Sequence, residues 1–113
     1  MSQTSINYIE FYCQRISVIK AFYASAFGWT FTDYGDDYTA FEDGVLSGGF
    51  HRNPQETTGG NPLVVLYTKE LEVIKDKVIA AGGTITVDIF SFPGGRRFHF
   101  ADPDGNVLAV WSE

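Results

Sequence analysis

The sequence lacks the features that mark membrane proteins, disulfide-bonded frameworks and cysteine-rich metal sites. Its 113 residues include one cysteine, Cys13, so neither an internal disulfide nor a cysteine-rich zinc site can form. No apolar run approaches the roughly 20 residues that span a bilayer. The first five residues contain neither a basic nor an apolar targeting segment. We therefore expect a cytoplasmic protein with no membrane partner.

Positive charge is also scarce. Eight Lys and Arg residues stand against fourteen Asp and Glu residues, which gives a net charge of −6. Because a phosphate backbone attracts basic surfaces, we expect no nucleic-acid partner. Aromatic residues, by contrast, are plentiful at 16 % of the chain, more than a core of this size needs, and aromatic side chains often line ligand pockets. The length predicts a single domain over residues 1–113.

The same order of elements is predicted twice along the chain. The first half predicts strand Ile6–Cys13, helix Gln14–Phe27 and strands Thr30–Tyr34, Tyr38–Glu42 and Val45–His51. The second half predicts strand Leu63–Thr68, helix Lys69–Ala81 and strands Thr84–Phe90, Arg96–Ala101 and Val107–Trp111. Repeat one covers about residues 5–51, a polar connector covers 52–61, and repeat two covers about 62–112.

The repetition reaches individual residues in the two helices. Val18–Lys20 and Val73–Lys75 have the same sequence, Val-Ile-Lys, at an offset of 55 residues. We therefore predict an α+β fold of two β-α-β-β-β repeats. Four strands from each repeat can curl into a half-barrel with the helix outside and a concave inner face. On the first helix, the three- to four-residue spacing predicts a buried face. Its members are Ile16, Ile19, Phe22 or Tyr23, and Ala26, and Gly28 follows as the stop.

Two longer motifs carry a family resemblance. Ala21–Trp29 reads AFYASAFGW at the end of the first helix, and Asp102–Trp111 reads DPDGNVLAVW at the last strand. With these motifs the chain resembles the vicinal oxygen chelate superfamily, which includes glyoxalase I, extradiol dioxygenases and the fosfomycin- and bleomycin-resistance proteins. The resemblance covers essentially the whole chain and implies that fold. Within the first motif, Phe22 and Phe27 are expected to pack the helix on the sheet.

The resemblance also implies where a divalent metal ion would be bound in metal-dependent members. The family pattern places the four ligands at Tyr8, Leu63, Ala109 and a position near Gly49. None of these is a usual metal ligand, so we predict no metal and no other cofactor. The alternative is a displaced site, for which the candidate ligands are His51, His99, Glu10 and Glu42.

Alternation along the strands groups the remaining candidate residues. The face with Tyr8 also carries Glu10 and Tyr12, and the same rule groups Val65 and Tyr67 with Leu63, and Trp111 with Ala109. The predicted ligand-binding residues are Tyr8, Glu10, Tyr12, Leu63, Val65, Tyr67, Ala109 and Trp111. They describe a cup with aromatic walls and one carboxylate, which suits a flat or cationic molecule.

Three functions are compatible with these patterns. The first is binding of a small aromatic or cationic molecule in a metal-free cup, as the resemblance to bleomycin-resistance proteins implies. The second is a metal-dependent lyase or dioxygenase of the glyoxalase kind, and the third is a non-catalytic dimeric interaction module. The non-ligand residues at the implied metal positions favour binding over catalysis. A homodimer is expected in all three cases.

Overall fold

The chain forms two compact units of similar size. The structure is a computed structural model that describes residues 4–53, 60 and 62–113. The described residues of Tyr8–Pro62 form the first unit, and those of Met1–Asn7 with Leu63–Glu113 form the second unit. Residues 54–59 and 61 of the predicted connector lie outside the described residues. The assignment of residues 1–113 to a single domain stays a prediction.

The first unit contains four strands and one helix. Its elements are β1 (Ser5–Cys13), α1 (Ile16–Phe27), β2 (Thr30–Asp33), β3 (Tyr38–Glu42) and β4 (Ser47–Arg52). The first three residues of β1 are grouped with the second unit. The strand order is β2-β3-β4-β1, in which β1 and β4 are parallel and the other neighbours are antiparallel.

The second unit has the same sequence of elements. They are β5 (Leu63–Tyr67), α2 (Leu71–Ala80), β6 (Thr84–Phe92), β7 (Gly95–Ala101) and β8 (Val107–Ser112). The strand order is β5-β8-β7-β6, with β5 and β8 parallel and the other pairs antiparallel. The predicted α+β class with two β-α-β-β-β repeats is therefore confirmed. Each predicted element is found with both ends within two residues of the prediction.

Helix α1 covers one face of the first unit's sheet. The buried residues on this side are Cys13, Phe41 and Phe50. Ile16, Ile19 and Tyr23 of the helix pack against them, at the three- and four-residue spacing that places side chains on one stripe. The predicted face on α1 is found at these three positions, but all three are half-buried and no residue of the helix is fully buried. Tyr23 rather than Phe22 is the aromatic member of this face.

The prediction that Phe22 and Phe27 pack the helix on the sheet is wrong. Phe22 is 56 % exposed and Phe27 is 63 % exposed. Phe22 is offset by one residue from Tyr23, which turns its side chain away from the stripe. Phe27 and Ala26 follow Tyr23 at helical spacing but lie in the last turn of the helix, where both are exposed. The Phe22 and Phe27 rings contact each other with centroids 6.3 Å apart. The helix ends, as predicted, at Gly28, whose φ of 74° is left-handed.

Helix α2 covers the corresponding face of the second unit. Leu71 of the helix is buried together with Phe98 and Val110 of the sheet, and Ile74 and Val78 extend the contact along the helix. Neither this helix nor any other that the structure describes combines the length and apolar character that a bilayer crossing requires.

The repeat also preserves an ion pair between helix and strand. In the first unit, Lys20 Nζ lies 2.9 Å from Asp33 Oδ2, and in the second unit Lys75 Nζ lies 2.6 Å from Asp88 Oδ1. Both the lysines and the aspartates are 55 residues apart. Each lysine lowers the pKa of its aspartate, chiefly through the hydrogen bond. The helix sides of the two units are thus equivalent in chemistry as well as in topology.

Candidate functional site

Each sheet has one face against its helix and an opposite face, here called the inner face. On β1, Phe11 and Cys13 pack on the helix side. Because strand side chains alternate, Tyr8, Glu10 and Tyr12 lie on the inner face, which is the grouping that alternation predicts. Glu10 is nevertheless only 2 % exposed, which is unusual for a carboxylate and requires polar partners.

A hydrogen-bonded cluster of two tyrosines and Glu10 occupies this inner face. The Tyr38 hydroxyl on β3 donates to Glu10 Oε1 over 2.9 Å. Its oxygen lies 2.5 Å from the Tyr8 hydroxyl oxygen. Strand β4 lies between β1 and β3, so the phenol ring of Tyr38 must cross β4 to reach both partners. We call Tyr8, Tyr38 and Glu10 the tyrosine–glutamate cluster.

Gly49 makes room for this crossing. It is the β4 residue opposite both Glu10 on β1 and Ala40 on β3. A Cβ atom at this position would overlap the Tyr38 hydroxyl and would lie 2.7 Å from the Tyr8 hydroxyl oxygen. Real Cβ atoms essentially never approach so closely, so only glycine is compatible with this position of Tyr38.

The cluster strongly favours the protonated form of Tyr38. Burial of the ring raises the pKa of Tyr38, and the negative charge of Glu10 and the phenol of Tyr8 raise it further. The shift is large and upward, because an anionic Tyr38 would lie desolvated beside a carboxylate. Tyr38 therefore keeps its hydrogen well above the pH at which an ordinary tyrosine ionises, about 10.

The rest of the first unit's inner face is also polar. The Ser47 hydroxyl, opposite Tyr8 in the β1–β4 register, donates to the two carboxylate oxygens of Glu42 over 2.8 and 2.7 Å. The His51 ring lies 6.1 Å from the Tyr12 ring and 5.9 Å from the Tyr38 ring, measured between centroids. Acceptor oxygens and aromatic rings therefore dominate this face.

The second unit has a largely apolar inner face. Leu63, Val65 and Ala109 are buried at its base, at 6 %, 2 % and 0 % exposure. The rings of Tyr67 and Trp111 meet edge to face above them with centroids 5.0 Å apart. All five are residues that strand alternation grouped together.

Hydrogen bonds hold the two aromatic rings in place. The Tyr67 hydroxyl donates to Glu113 Oε1 over 2.8 Å, and Trp111 Nε1 donates to Asn7 Oδ1 over 3.1 Å. The hydrogen bond to Glu113 raises the pKa of Tyr67, with burial as a smaller cause. Glu113 directly follows β8, and Asn7 is the third residue of β1.

The sequence analysis missed the residues that complete both inner faces. In the second unit, the Arg97 guanidinium lies 5.3 Å from the Phe90 ring centroid and 5.7 Å from that of Phe92. Arg97 is opposite Trp111 in the β7–β8 register, so strand pairing was the signal that could have found it. In the first unit the missed residue is Tyr38, for which the paired glycines Gly48 and Gly49 were the available hint. His99, a candidate ligand, lies on β7 beside Phe90, with ring centroids 5.9 Å apart.

Comparison with known protein families identifies the chain. The family model described as Glyoxalase/Bleomycin resistance protein/Dioxygenase superfamily matches residues 5–110. The chain belongs to this superfamily. The family that the two motifs predicted is thereby confirmed, while no curated protein sequence matches the chain significantly.

Solved structures share the fold at low sequence identity. A Mn(II)-bound glyoxalase from Novosphingobium aromaticivorans superposes with a TM-score of 0.72 at 22 % identity, over 99 % of this chain and 40 % of the glyoxalase. A superfamily member from Vibrio splendidus 12B01 gives 0.71 at 16 % identity and covers 100 % of both chains. Methylmalonyl-CoA epimerase from Mycobacterium tuberculosis gives 0.78 at 8 % identity, over 96 % of this chain and 87 % of the epimerase. This chain thus spans less than half of the glyoxalase, and the likeness concerns the fold alone.

The residues at the superfamily's implied metal positions do not fit a metal ion. Leu63 and Ala109 have no ligating side-chain atom. Gly49 has no side chain, and the direction in which one would project is filled by the Tyr38 hydroxyl. The remaining position, Tyr8, is hydrogen-bonded to that same hydroxyl. In the first unit the tyrosine–glutamate cluster therefore occupies both implied ligand positions, Tyr8 and the space beside Gly49.

Proposed function

We propose that the protein binds a small flat molecule, aromatic or cationic, without a metal ion. The observation that supports this most is the Tyr38 hydroxyl, which fills the space beside Gly49 and joins Tyr8 to Glu10. A buried carboxylate held in a hydrogen-bonded network beside tyrosine rings supports a role in recognition, since a core that served stability alone would be more stable with apolar residues there.

Each unit carries its own set of proposed contact residues, with its own chemistry. In the first unit, Tyr8 and Tyr12 supply rings and Glu10 supplies negative charge. In the second unit, Tyr67 and Trp111 supply rings above the apolar residues Leu63, Val65 and Ala109. Aromatic stacking and cation–π contacts are each worth about 0.5–2 kcal/mol when water is excluded.

The net charge of −6 favours a cation over an anion as the ligand. We further propose a cytoplasmic location and a homodimer. Analytical ultracentrifugation tests the dimer: a single species of about 25 kDa supports it, and a species at the 12.5 kDa of one chain contradicts it.

The test compares three probes of the same shape and different charge. We expect benzamidinium to bind most tightly, benzamide less tightly and benzoate least, as measured by calorimetry and by the rise in melting temperature. Glu10→Gln should weaken benzamidinium roughly tenfold, because a charge-assisted contact is lost, while benzamide changes little. Asp76→Asn removes the same charge from the exposed face of α2 and serves as the matched control.

Two results would contradict the proposal. The first is the absence of saturable binding by any of the three probes at millimolar concentration. The second is near-stoichiometric metal retained after incubation with zinc, nickel, manganese and iron salts and desalting, measured by elemental analysis. Retained metal would support the lyase or dioxygenase alternative with ligands among His51, His99, Glu10 and Glu42.

A further inference from the structure

The direction of the hydrogen bonds in the tyrosine–glutamate cluster determines what Tyr8 offers to a ligand. A phenol carries one hydrogen and a carboxylate carries none. Tyr38 donates its single hydrogen to Glu10 Oε1. The 2.5 Å contact between the two phenol oxygens therefore uses the hydrogen of Tyr8. Within the cluster, Tyr8 donates to Tyr38 and Tyr38 donates to Glu10.

We infer that Tyr38 is the positioning residue that selects hydrogen-bond donors as ligands of the first unit. Because Tyr38 takes the Tyr8 hydrogen, Tyr8 meets a ligand through its oxygen lone pairs. These accept from the N–H or O–H groups of amines, amidines, indoles and phenols, and they repel carbonyl and carboxylate oxygens. The inference rests on the proposed function. It adds to the flat shape and the charge of the ligand the requirement that the ligand donates a hydrogen bond.

Ser47 supports the same polarity independently of the two tyrosines. It is opposite Tyr8 on the neighbouring strand, and its hydroxyl hydrogen points to the carboxylate of Glu42. The Ser47 hydrogen is thus directed to a carboxylate, and the Tyr8 hydrogen is directed to the Tyr38 oxygen. Both hydroxyls therefore face a ligand as oxygen acceptors.

The direction of the hydrogen bonds from Tyr8 through Tyr38 to Glu10 is also the same over a wide pH range. The pKa of Tyr38 is raised by burial and by the adjacent carboxylate, so Tyr38 keeps the hydrogen that it donates to Glu10 well above neutral pH. Gly49 leaves the space that the Tyr38 ring occupies, since any side chain there would displace the Tyr38 hydroxyl. The selectivity is therefore built into the strand register and needs no movement on binding.

The test uses indole and benzofuran, two neutral probes of nearly equal shape. Indole carries an N–H donor, and benzofuran has a weakly accepting oxygen in its place. We expect the wild-type protein to bind indole roughly fivefold more tightly, as one neutral hydrogen bond allows. In Tyr38→Phe the Tyr8 hydrogen is released toward the ligand, so the preference should disappear or reverse. Tyr8→Phe should abolish it, and Tyr34→Phe, at a tyrosine that is 62 % exposed and belongs to no proposed contact set, should leave it unchanged.

Ligand-observed NMR measures both dissociation constants for each variant, and circular dichroism checks that each variant folds. Equal binding of the two probes by the wild type, or an unchanged preference in Tyr38→Phe, would overturn the inference. Failure of both probes to bind would overturn the proposed function and the ligand selectivity together.

A second measurement tests the hydrogen-bond chain without a ligand. In protein labelled with ¹³C at tyrosine Cζ, the signal missing from Tyr38→Phe identifies Tyr38. We expect that signal to stay unshifted as the pH passes the ordinary tyrosine pKa of about 10. A Tyr38 signal that titrates near that value would show that the hydrogen bonds from Tyr8 through Tyr38 to Glu10 do not exist, independently of how indole and benzofuran bind.

Discussion

The two units share their helix sides and differ on their inner faces. On the helix side, each has a buried phenylalanine in the sheet, Phe50 or Phe98, and each has a Lys–Asp ion pair at the same place in the repeat. On the inner face, the first unit has a hydrogen-bonded network of hydroxyls and carboxylates. The second unit has buried aliphatic residues below aromatic rings. The comparison shows that the helix side conserves the fold while the inner face is free to diverge.

The offset of 55 residues makes the divergence explicit. It relates Tyr8 to Leu63 and Glu10 to Val65, whereas Tyr12 is related to a second tyrosine, Tyr67. The polar pair Tyr8 and Glu10 on β1 thus corresponds to the apolar pair Leu63 and Val65 on β5, the first strand of the second unit. Glu10 and Val65 are both 2 % exposed, so the two units bury opposite chemistry at one position. Burial of Glu10 without the hydroxyl of Tyr38 would cost several kcal/mol.

The largest expected effect tests the equivalence of the helix sides. Phe50→Ala and Phe98→Ala should each lower the free energy of unfolding by about 3–5 kcal/mol, because each leaves a cavity below its helix. Urea denaturation measures both losses. A variant that is already unfolded without urea would also show a large loss of stability. Phe22→Ala, on the exposed side of α1, should cost less than about 1 kcal/mol. A small loss at Phe50 with a large one at Phe98 would break the equivalence.

The next effect tests whether the first inner face is rigid. Gly49→Ala should destabilise the protein by about 1–3 kcal/mol, since the new methyl group overlaps the Tyr38 hydroxyl. Combining it with Tyr38→Phe removes the overlapped oxygen, and the double variant should lose less than the sum of the two single losses. Additive losses would mean that Tyr38 does not lie over Gly49.

The pH dependence of the unfolding free energy should distinguish Tyr38 of the first unit from Tyr67 of the second unit. The pKa of Tyr38 is raised in the folded state, so its contribution is complete below pH 10 and is lost as the pH rises further, at up to about 1.4 kcal/mol per pH unit. Tyr38→Phe should remove that slope from the unfolding free energy measured between pH 9 and 11. Tyr67→Phe is the matched change in the second unit and should alter the slope much less, because the Tyr67 hydroxyl bonds to the exposed Glu113. Equal changes in slope would contradict the difference between the faces.

The smallest effect concerns the repeated ion pair at acid pH. Lys20 and Lys75 lower the pKa values of Asp33 and Asp88, so each pair contributes stability that is lost as the pH falls through the lowered values. Lys20→Met and Lys75→Met should each return the pKa of the partner aspartate toward about 3.9, measured by NMR. The effect on unfolding should be slight, because both aspartates are exposed. A shift in one unit only would show that the pairs are not equivalent.

The sequence predicted the elements, the repeat and the family because these are expressed locally. Alternation placed Tyr8, Glu10 and Tyr12 on one face, and the helix spacing identified Ile16 and Ile19 as residues that face the core. It did not decide between Phe22 and Tyr23, since both lie within the width of a helical stripe and only the position of the sheet distinguishes them. Whether the predicted ligand-binding residues bind a ligand stays a prediction.

Tyr38 shows what local patterns leave open. It lies 30 residues after Tyr8 and is the first residue of β3, a strand whose alternation gives no sign of a functional side chain. Its hydroxyl reaches Tyr8 and Glu10 only because β4 lies between β1 and β3 and carries glycine at the crossing point. The sequence alone thus determined the secondary structure and the absence of ligand side chains at the implied metal positions, because composition and periodicity are properties of the chain itself. The hydrogen-bond network was decided by tertiary structure, because strand order and register bring together residues that no local interaction relates.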